Sequence, residues 1–310
     1  MGVSRGRAVA LAITAVASLG AIVALGPFRE DTHDSRDRSV EPAAHDRTVL
    51  SIVVAPWLEP DAVPSELEPL ARYLEGEVGV TVELSRAESY RAAVDAVVDG
   101  ESVVAMLPPL AWVQASEDRP SVKLLALQSF ESSYTLDSIL VVRRGEGIDE
   151  PEDLRGRPAC LVDPLSASGN LLARSWVRSR GIDPATLLGH VTWSGGHLPA
   201  LRDLLEERCD VAAVSSAALR VGPARGIDVR RLDVMATTGH VPVAAWAGSP
   251  RLDEGLADAL TEALASFVPP GTDVEPWLGD TLRIGRFQTG SRTAFRSVWV
   301  SAQLEGVVRR

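Results

Sequence analysis

Apolar and polar positions along this chain follow two rhythms, one of period two and one near 3.6. Residues 49–55 form a short apolar, β-branched run closed by Pro56, which predicts a buried first strand. Leu67, Leu70, Ala71 and Leu74 then share one face of a helix that opens near Pro64 and Ser65 and ends near Gly76 and Gly79. Residues 80–84 alternate as a second strand. Ser89 predicts the cap of a helix running to Asp99, with Ala92, Ala93, Ala96 and Val97 inward and Gly100 as its stop. Residues 103–107 make a third strand that runs into Pro108 and Pro109. Strand, helix, strand, helix, strand at this spacing predicts a parallel sheet covered on both faces.

A second unit follows. Residues 138–142 and 159–162 read as strands, separated by a turn at Gly145 and Gly147 and a short helix near Asp153. A helix over 168–180, a strand over 191–193, a helix over 198–207 and a strand over 211–214 complete another α/β lobe. The strand at 241–247 and the Ala- and Leu-rich helix over 256–267 find a partner only if the chain returns to the first lobe. The expectation is an α/β protein of two lobes, 48–138 and 139–240, with 241–310 returning to the first. The crossings are expected near Asp137 and Gly239, with a ligand cleft between the lobes.

The N-terminus indicates the compartment. Arg5 and Arg7 precede an uncharged apolar run over 8–28, which has the order of an export signal and enough length to span a bilayer. Residues 1–28 are therefore expected to be a signal peptide or a membrane anchor. Ala24 and Gly26 offer a cleavage site, and no cysteine stands there to take a lipid, so cleavage and retention both stay open. Residues 29–47, rich in Asp, Arg, Glu and His, predict a flexible spacer. The protein is expected to be exported, to the outer face of the cytoplasmic membrane, the periplasm or the medium. Any membrane association would run through the N-terminal segment alone. About 260 residues remain after the spacer, enough for two lobes.

The formal net charge is −11, and the first 47 residues carry equal numbers of acidic and basic side chains, so the excess sits on the folded part. That argues against nucleic acid as a partner and requires any anionic ligand to be held by local donors. Cys160 and Cys209, the only cysteines, each start a predicted parallel strand of the second lobe, its first and third. In the common strand order these are neighbours, and export favours a disulfide between them; two separate buried thiols are the alternative.

Two polar turns carry candidate chemistry. In Asp163-Pro164-Leu165-Ser166-Ala167-Ser168-Gly169-Asn170, between a strand and a helix, one serine can cap the helix. The second hydroxyl and the first-turn amides of Gly169, Asn170 and Leu171 are then left where the helix dipole favours negative charge. An ordinary Ser-capped helix is the plain alternative. Thr192-Trp193-Ser194-Gly195-Gly196-His197 stands at the next strand end, where His197 can donate from one ring nitrogen while a neighbour orients the other. The crossing segment adds Tyr134, Asp137 and Ser138; Trp57 follows the first strand, and Ser215 and Ser216 end the last. Trp112, Trp193 and Trp246 could line the cleft or equally belong to cores.

Taken together, these segments resemble the PhnD-like family of phosphate, phosphite and phosphonate substrate-binding proteins of ABC importers. The likeness runs from Val53-Val54-Ala55-Pro56 through Leu67 to Leu74, Ser89-Tyr90, Val103 to Pro109 and Ser166-Ala167-Ser168-Gly169. It continues with Gly195-Gly196-His197 about thirty residues on and Asp210-Val211-Ala212-Ala213-Val214. The resemblance implies a type II periplasmic-binding-protein-like fold, a small oxyanion such as phosphonate, phosphite or phosphate in the cleft, and a permease and ATPase as partners. It calls for no cofactor, metal or catalytic residue. It also implies that Ser166, Ser168 and His197 contact the phosphonyl oxygens, that the Gly169 amide assists, and that Ser138 lies at the hinge-side rim. The chain departs from the family at Leu107 and Asp137, where members often carry an aromatic residue. It departs again at Ser215 and Ser216, where members carry amide or acidic side chains.

Two other classes remain in view. Asp163, Ser166 or Ser168, and His197 supply the residue types of a serine hydrolase, but no Gly-x-Ser-x-Gly elbow presents the serine. The stronger alternative is a membrane-anchored ligand sensor or scaffold of the same shape.

Overall fold

Local rules account for the first units of the computed structural model, which describes residues 48–58, 62–271, 273 and 275–308. The expected leader over 1–28 and spacer over 29–47 lie outside the described residues. β1 (Val49–Val54), α1 (Ala62–Val78), β2 (Thr81–Arg86), α2 (Tyr90–Asp99) and β3 (Val103–Leu107) come in the predicted order. Ser89 Oγ accepts the Ala92 N–H at 3.0 Å and so caps α2. β1 pairs in parallel with both β2 and β3. α3 (Pro109–Asp118) and β4 (Lys123–Phe130) follow, where sequence reading places no element. Pro109 occupies the first helical position, where a missing N–H is harmless and a fixed φ suits the helix. The Pro-Pro pair therefore opens a helix.

The chain goes on through β5 (Thr135–Arg143), a 3₁₀ turn (Pro151–Leu154) and β6 (Arg157–Leu161). A π turn (Ala167–Leu171) leads into α4 (Leu172–Arg178), followed by α5 (Pro184–Leu187) and β7 (Leu188–Trp193). Next come α6 (His197–Leu205), β8 (Val211–Ser215), α7 (Ser216–Val221) and β9 (Leu232–Pro242). β10 (Ala244–Gly248), α8 (Glu254–Ser266), β11 (Ile284–Gln288) and α9 (Arg296–Leu304) complete the order.

These strands form two sheets, β11-β4-β10-β3-β1-β2 and β7-β6-β8-β5-β9. The chain passes between them at residues 131–134 and at Val243, and the Val243 N–H donates to the Tyr134 carbonyl at 3.1 Å. Asp137 and Gly239, expected at the crossings, instead stand inside the β5–β9 pairing, opposite His240 and Ser138. The extended backbone simply continues past the apolar run that marks β5. Glu131 braces the first crossing: its carboxylate takes Arg283 Nη1 at 2.7 Å from the first lobe and Arg220 of α7 from the second. α9 packs on α3 and α4, and Glu305 accepts two nitrogens of Arg178 at 2.9 and 3.0 Å, so the C-terminal helix straps both lobes.

Each sheet has a core cluster of its own, and a third cluster, with Leu107 and Trp112 from the first lobe and Cys160 and Val214 from the second, runs through both. Leu67, Leu70 and Leu74 on the inner face of α1 are almost fully covered, and burial of each contributes about 2 kcal/mol. Trp112 and Trp246 are buried in this lobe, while Trp193 is exposed. Among the described residues no helix is long and apolar enough to cross a membrane.

In the second lobe β6 and β8 are adjacent and parallel, and Cys160 and Cys209 are joined by a disulfide across a sequence separation of 49 residues. Closing a loop of that size removes chain entropy from the unfolded state worth about 4 kcal/mol in the ideal case, and native bridges deliver roughly 2–4. The double variant Cys160→Ala/Cys209→Ala is expected to melt roughly 5–10 °C below the parent. Calorimetry of both proteins checks this, and reduction should lower only the parent's melting temperature.

Candidate functional site

The parallel strands β7, β6 and β8 end on the same side of the second sheet, and each is followed by a helical turn whose N-terminus faces the first lobe. The turns after β6 and β7 are held together by backbone bonds. The Ser194 N–H donates to Leu161 and that of Gly195 to Val162, each at 2.8 Å. Gly195 has φ near +77°, a left-handed conformation that favours glycine and lets the chain fold back onto β6.

Between the lobes lies a cavity of about 100 Å³, several times what one water requires. Ser166, Ser168, His197 and Ser215 line it from the second lobe, and Trp57 and Gln128 from the first. Phe130, Leu136, Pro108 and Val241 form an apolar wall. Among the described residues that line it there is no Lys, Arg, Asp or Glu. An anion here would be held by neutral dipoles, whose effect is strengthened by exclusion of water.

His197 has a fixed tautomer. The Ser215 N–H donates to its Nδ1 at 3.1 Å, so Nδ1 carries no proton and the neutral ring must carry its hydrogen on Nε2. Part of the ring opens onto the cavity, but protein crowds the remainder, and this desolvation lowers the imidazole pKa to about 4. His197 is thus a neutral donor at physiological pH. The same bond argues against a hydrolase triad, in which a carboxylate must accept from Nδ1–H. Asp163 instead accepts the Leu165 N–H at 2.7 Å, and burial raises its pKa.

The serine turn divides its labour. Ser166 Oγ accepts the Gly169 N–H at 2.9 Å and keeps its own hydrogen to donate. Ser168 Oγ and Ser215 Oγ make no hydrogen bond to a described residue and border the cavity. Because bonds in a π turn run five residues back, Ala167, Ser168 and Asn170 have no acceptor for their N–H groups within the turn. Gln128 is the first lobe's donor. Trp246 Nε1–H, which can only donate, meets Gln128 Oε1 at 2.9 Å and so fixes the amide with its NH₂ group free for the cavity.

Of the other expected site residues, Trp57 shares this surface and the rest stand behind or outside it. The Gly169 amide is occupied by Ser166, and an added Cβ would run into Val162 and Ser166 Oγ, so the glycine serves packing of the turn and not close approach of a ligand. Asn170 uses both ends of its amide, donating to the Pro164 carbonyl at 2.9 Å and accepting from Arg174 Nε at 2.7 Å. Ser138 is fully buried and donates to the Ser168 carbonyl at 2.9 Å, which makes it a support of the turn. Asp137 turns away from the cavity to His240, Oδ1 to Nδ1 at 2.7 Å, and Leu136 takes the facing position. Ser216 accepts the Asp137 N–H at 3.2 Å, while its neighbour Ser215 borders the cavity. Tyr134 lines a separate hollow with Phe267 and Trp277. Trp57 walls the cavity and donates from Nε1 to Tyr90 Oη at 2.8 Å. Gln128 was outside sequence reach because β4 was; the one signal is a lone amide ending the apolar run 124–127.

Solved structures share this architecture. PhnD1 from Prochlorococcus marinus (MIT 9301), in complex with methylphosphonate, aligns with a TM-score of 0.71 at 16% identity, covering 84% of this chain and 99% of that one. A binding protein component of an ABC phosphonate transporter from Pseudomonas aeruginosa aligns at 0.72 and 16% identity, covering 84% and 87%. The fold is that of the type II periplasmic binding proteins. The tetrathionate sensor histidine kinase TtrS of Salmonella typhimurium is 24% identical over 217 residues, 64% of this chain, which spans only 36% of that protein. Residues 52–294 match the family described as ABC transporter, phosphonate, periplasmic substrate-binding protein. With the greater part of its length so matched, the chain belongs to the family of periplasmic substrate-binding proteins of phosphonate ABC transporters.

Proposed function

We propose that the cleft binds a small phosphonate reversibly, without turnover, and presents it outside the cytoplasm to a permease driven by an ATPase. The observation that carries this is the lining of the first cavity: hydroxyl, imidazole and amide donors converge on one side, and an apolar wall faces them. Donors suit phosphonyl oxygens, and the wall suits a small alkyl substituent. With Asp137 turned to His240, no carboxylate lines the cavity among the described residues, so a protonated phosphate has no strong acceptor to meet. Closure is supported at the cleft's mouth, where Arg225 of the second lobe reaches Glu66 of α1 at 2.9 Å. Glu66 also accepts the Thr281 and Leu282 N–H groups. Ligand would shift the lobes toward this arrangement to the extent that it binds it better than an open one.

Calorimetric titration tests the reading. Methylphosphonate is expected to give saturable heat and to bind more tightly than phosphate or sulfate. Ser168→Ala should weaken it about tenfold, the loss of one hydrogen bond to a charged group. No saturable heat with methylphosphonate, phosphite or phosphate on folded protein would remove the assignment. The likeness to TtrS favours one second reading, a sensor that reports the same ligand to a signalling partner; a neighbouring kinase gene in place of permease and ATPase genes would select it.

A further inference from the structure

A second cavity, of about 260 Å³, lies between the lobes beside the first and shares Trp57, Leu198 and Thr281 with it. Its chemistry is different. Arg86 at the end of β2, Arg202 on α6 and Arg225 line it, against a single lining carboxylate among the described residues, that of exposed Glu88. Arg225 is engaged by Glu66. Counting Glu66, the cluster is still net positive, in a protein whose formal charge is −11.

Arg86 and Arg202 make no ion pair or hydrogen bond to a described residue, and Arg86 Nε is buried without an acceptor. A guanidinium can neither shed its charge nor turn acceptor. A buried N–H of this kind is left uncompensated within the protein. The two free cations also come from opposite lobes, so an anion between them would draw the lobes together where like charges now face each other.

We propose that this cavity receives a second anionic group of the same ligand, which makes the substrate class a phosphonate whose short substituent ends in a carboxylate or phosphoryl group. The proposal rests on the phosphonate reading above. The first cavity holds the phosphonyl group with neutral donors, and its apolar wall rejects a second charge. The planar forks of Arg86 and Arg202 match the paired oxygens of such an end group. An ammonium end is disfavoured by three arginines.

The test is calorimetric titration of the disulfide-intact protein with methylphosphonate, 2-aminoethylphosphonate, 3-phosphonopropionate and methylenediphosphonate. At least one of the two ligands with an anionic end group, 3-phosphonopropionate or methylenediphosphonate, is expected to bind about tenfold or more tightly than methylphosphonate, and which one does identifies the end group. Arg86→Gln and Arg202→Gln should each abolish that preference and leave methylphosphonate affinity unchanged. Arg86→Gln should also melt no lower than the parent, since its Nε–H has no partner to lose. Equal affinity for all phosphonates, preference for the aminoethyl compound, a preference that survives both substitutions, or a lowered melting temperature of Arg86→Gln would each overturn the second site. If methylphosphonate itself fails to bind, the phosphonate reading falls first and this inference with it.

Discussion

His197→Ala is expected to weaken methylphosphonate binding about 10- to 100-fold, because it removes a donor to a charged oxygen from a site without cations. Alanine also leaves the Ser215 N–H without its acceptor. His197→Asn separates the two effects. An Asn carbonyl can take the Ser215 N–H in place of Nδ1 but cannot reach where Nε2 reaches. The Asn variant should therefore fold like the parent and still bind weakly. If it bound like the parent, His197 would be a support of β8 and not a ligand contact.

The pH dependence follows from the burial of the same ring. With a folded-state pKa of about 4 against 6.5 for a free imidazole, His197 is neutral in the fold throughout the range where the unfolded chain takes up a proton. Unfolding therefore binds a proton between pH 6.5 and 4. Stability is full above pH 6.5 and falls as the pH drops toward 4, by at most about 3 kcal/mol from this group. Asp163, whose pKa is raised by burial, works in the opposite sense. Comparing the parent with His197→Asn cancels it. Denaturant titrations at pH 7 and 4.5 should show a smaller loss for the Asn variant.

The parts of this protein that could be read from its sequence are those in which local pattern and burial coincide. β1, β3, β6 and β8 are apolar runs bounded by turns, and α2 carries its own cap and stop, so their order was accessible. β9 was not, because much of this edge strand is exposed and its sequence shows no alternation. Pro108 and Pro109 mark a strand end and a helix start equally well, and this ambiguity hid α3 and β4. The site divides along the same line. Ser166, Ser168 and His197 sit on turns whose donors point out of strand ends whatever the register. Asp137 and Ser216 each stand one residue from a position that lines the cavity, since neighbours near a strand end point to opposite sides and parity is set by pairing that only the fold reveals. Leu136 and Ser215 hold the facing positions.

Arg143→Met is expected to destabilise the protein by about 3 kcal/mol, at the low end for breaking a buried charge cluster. Arg143, at the end of β5, would pass for a surface residue in the sequence, yet it is 9% exposed. Its guanidinium donates to Glu146 at 2.6 and 2.8 Å, to Asp210 at 2.9 Å, to the Leu204 carbonyl at 2.8 Å and to the Cys209 carbonyl. One side chain thereby closes the last turn of α6, the entry to β8 and the disulfide's second half-cystine. Met keeps the apolar stem, so the loss measures the hydrogen bonds. Arg157, 3.3 Å from Asp210, retains part of the compensation, which is why the lower figure applies. Denaturant midpoints should shift with an unchanged slope, as for a change in stability alone. Affinity for methylphosphonate should hold, because His197 stands at the other end of α6, where the Ser194 and Gly195 N–H bonds to β6 and its following residue fix the turn. If affinity fell with stability, α6 would move as one rigid body and the anchoring of the site would lie at Arg143 as well.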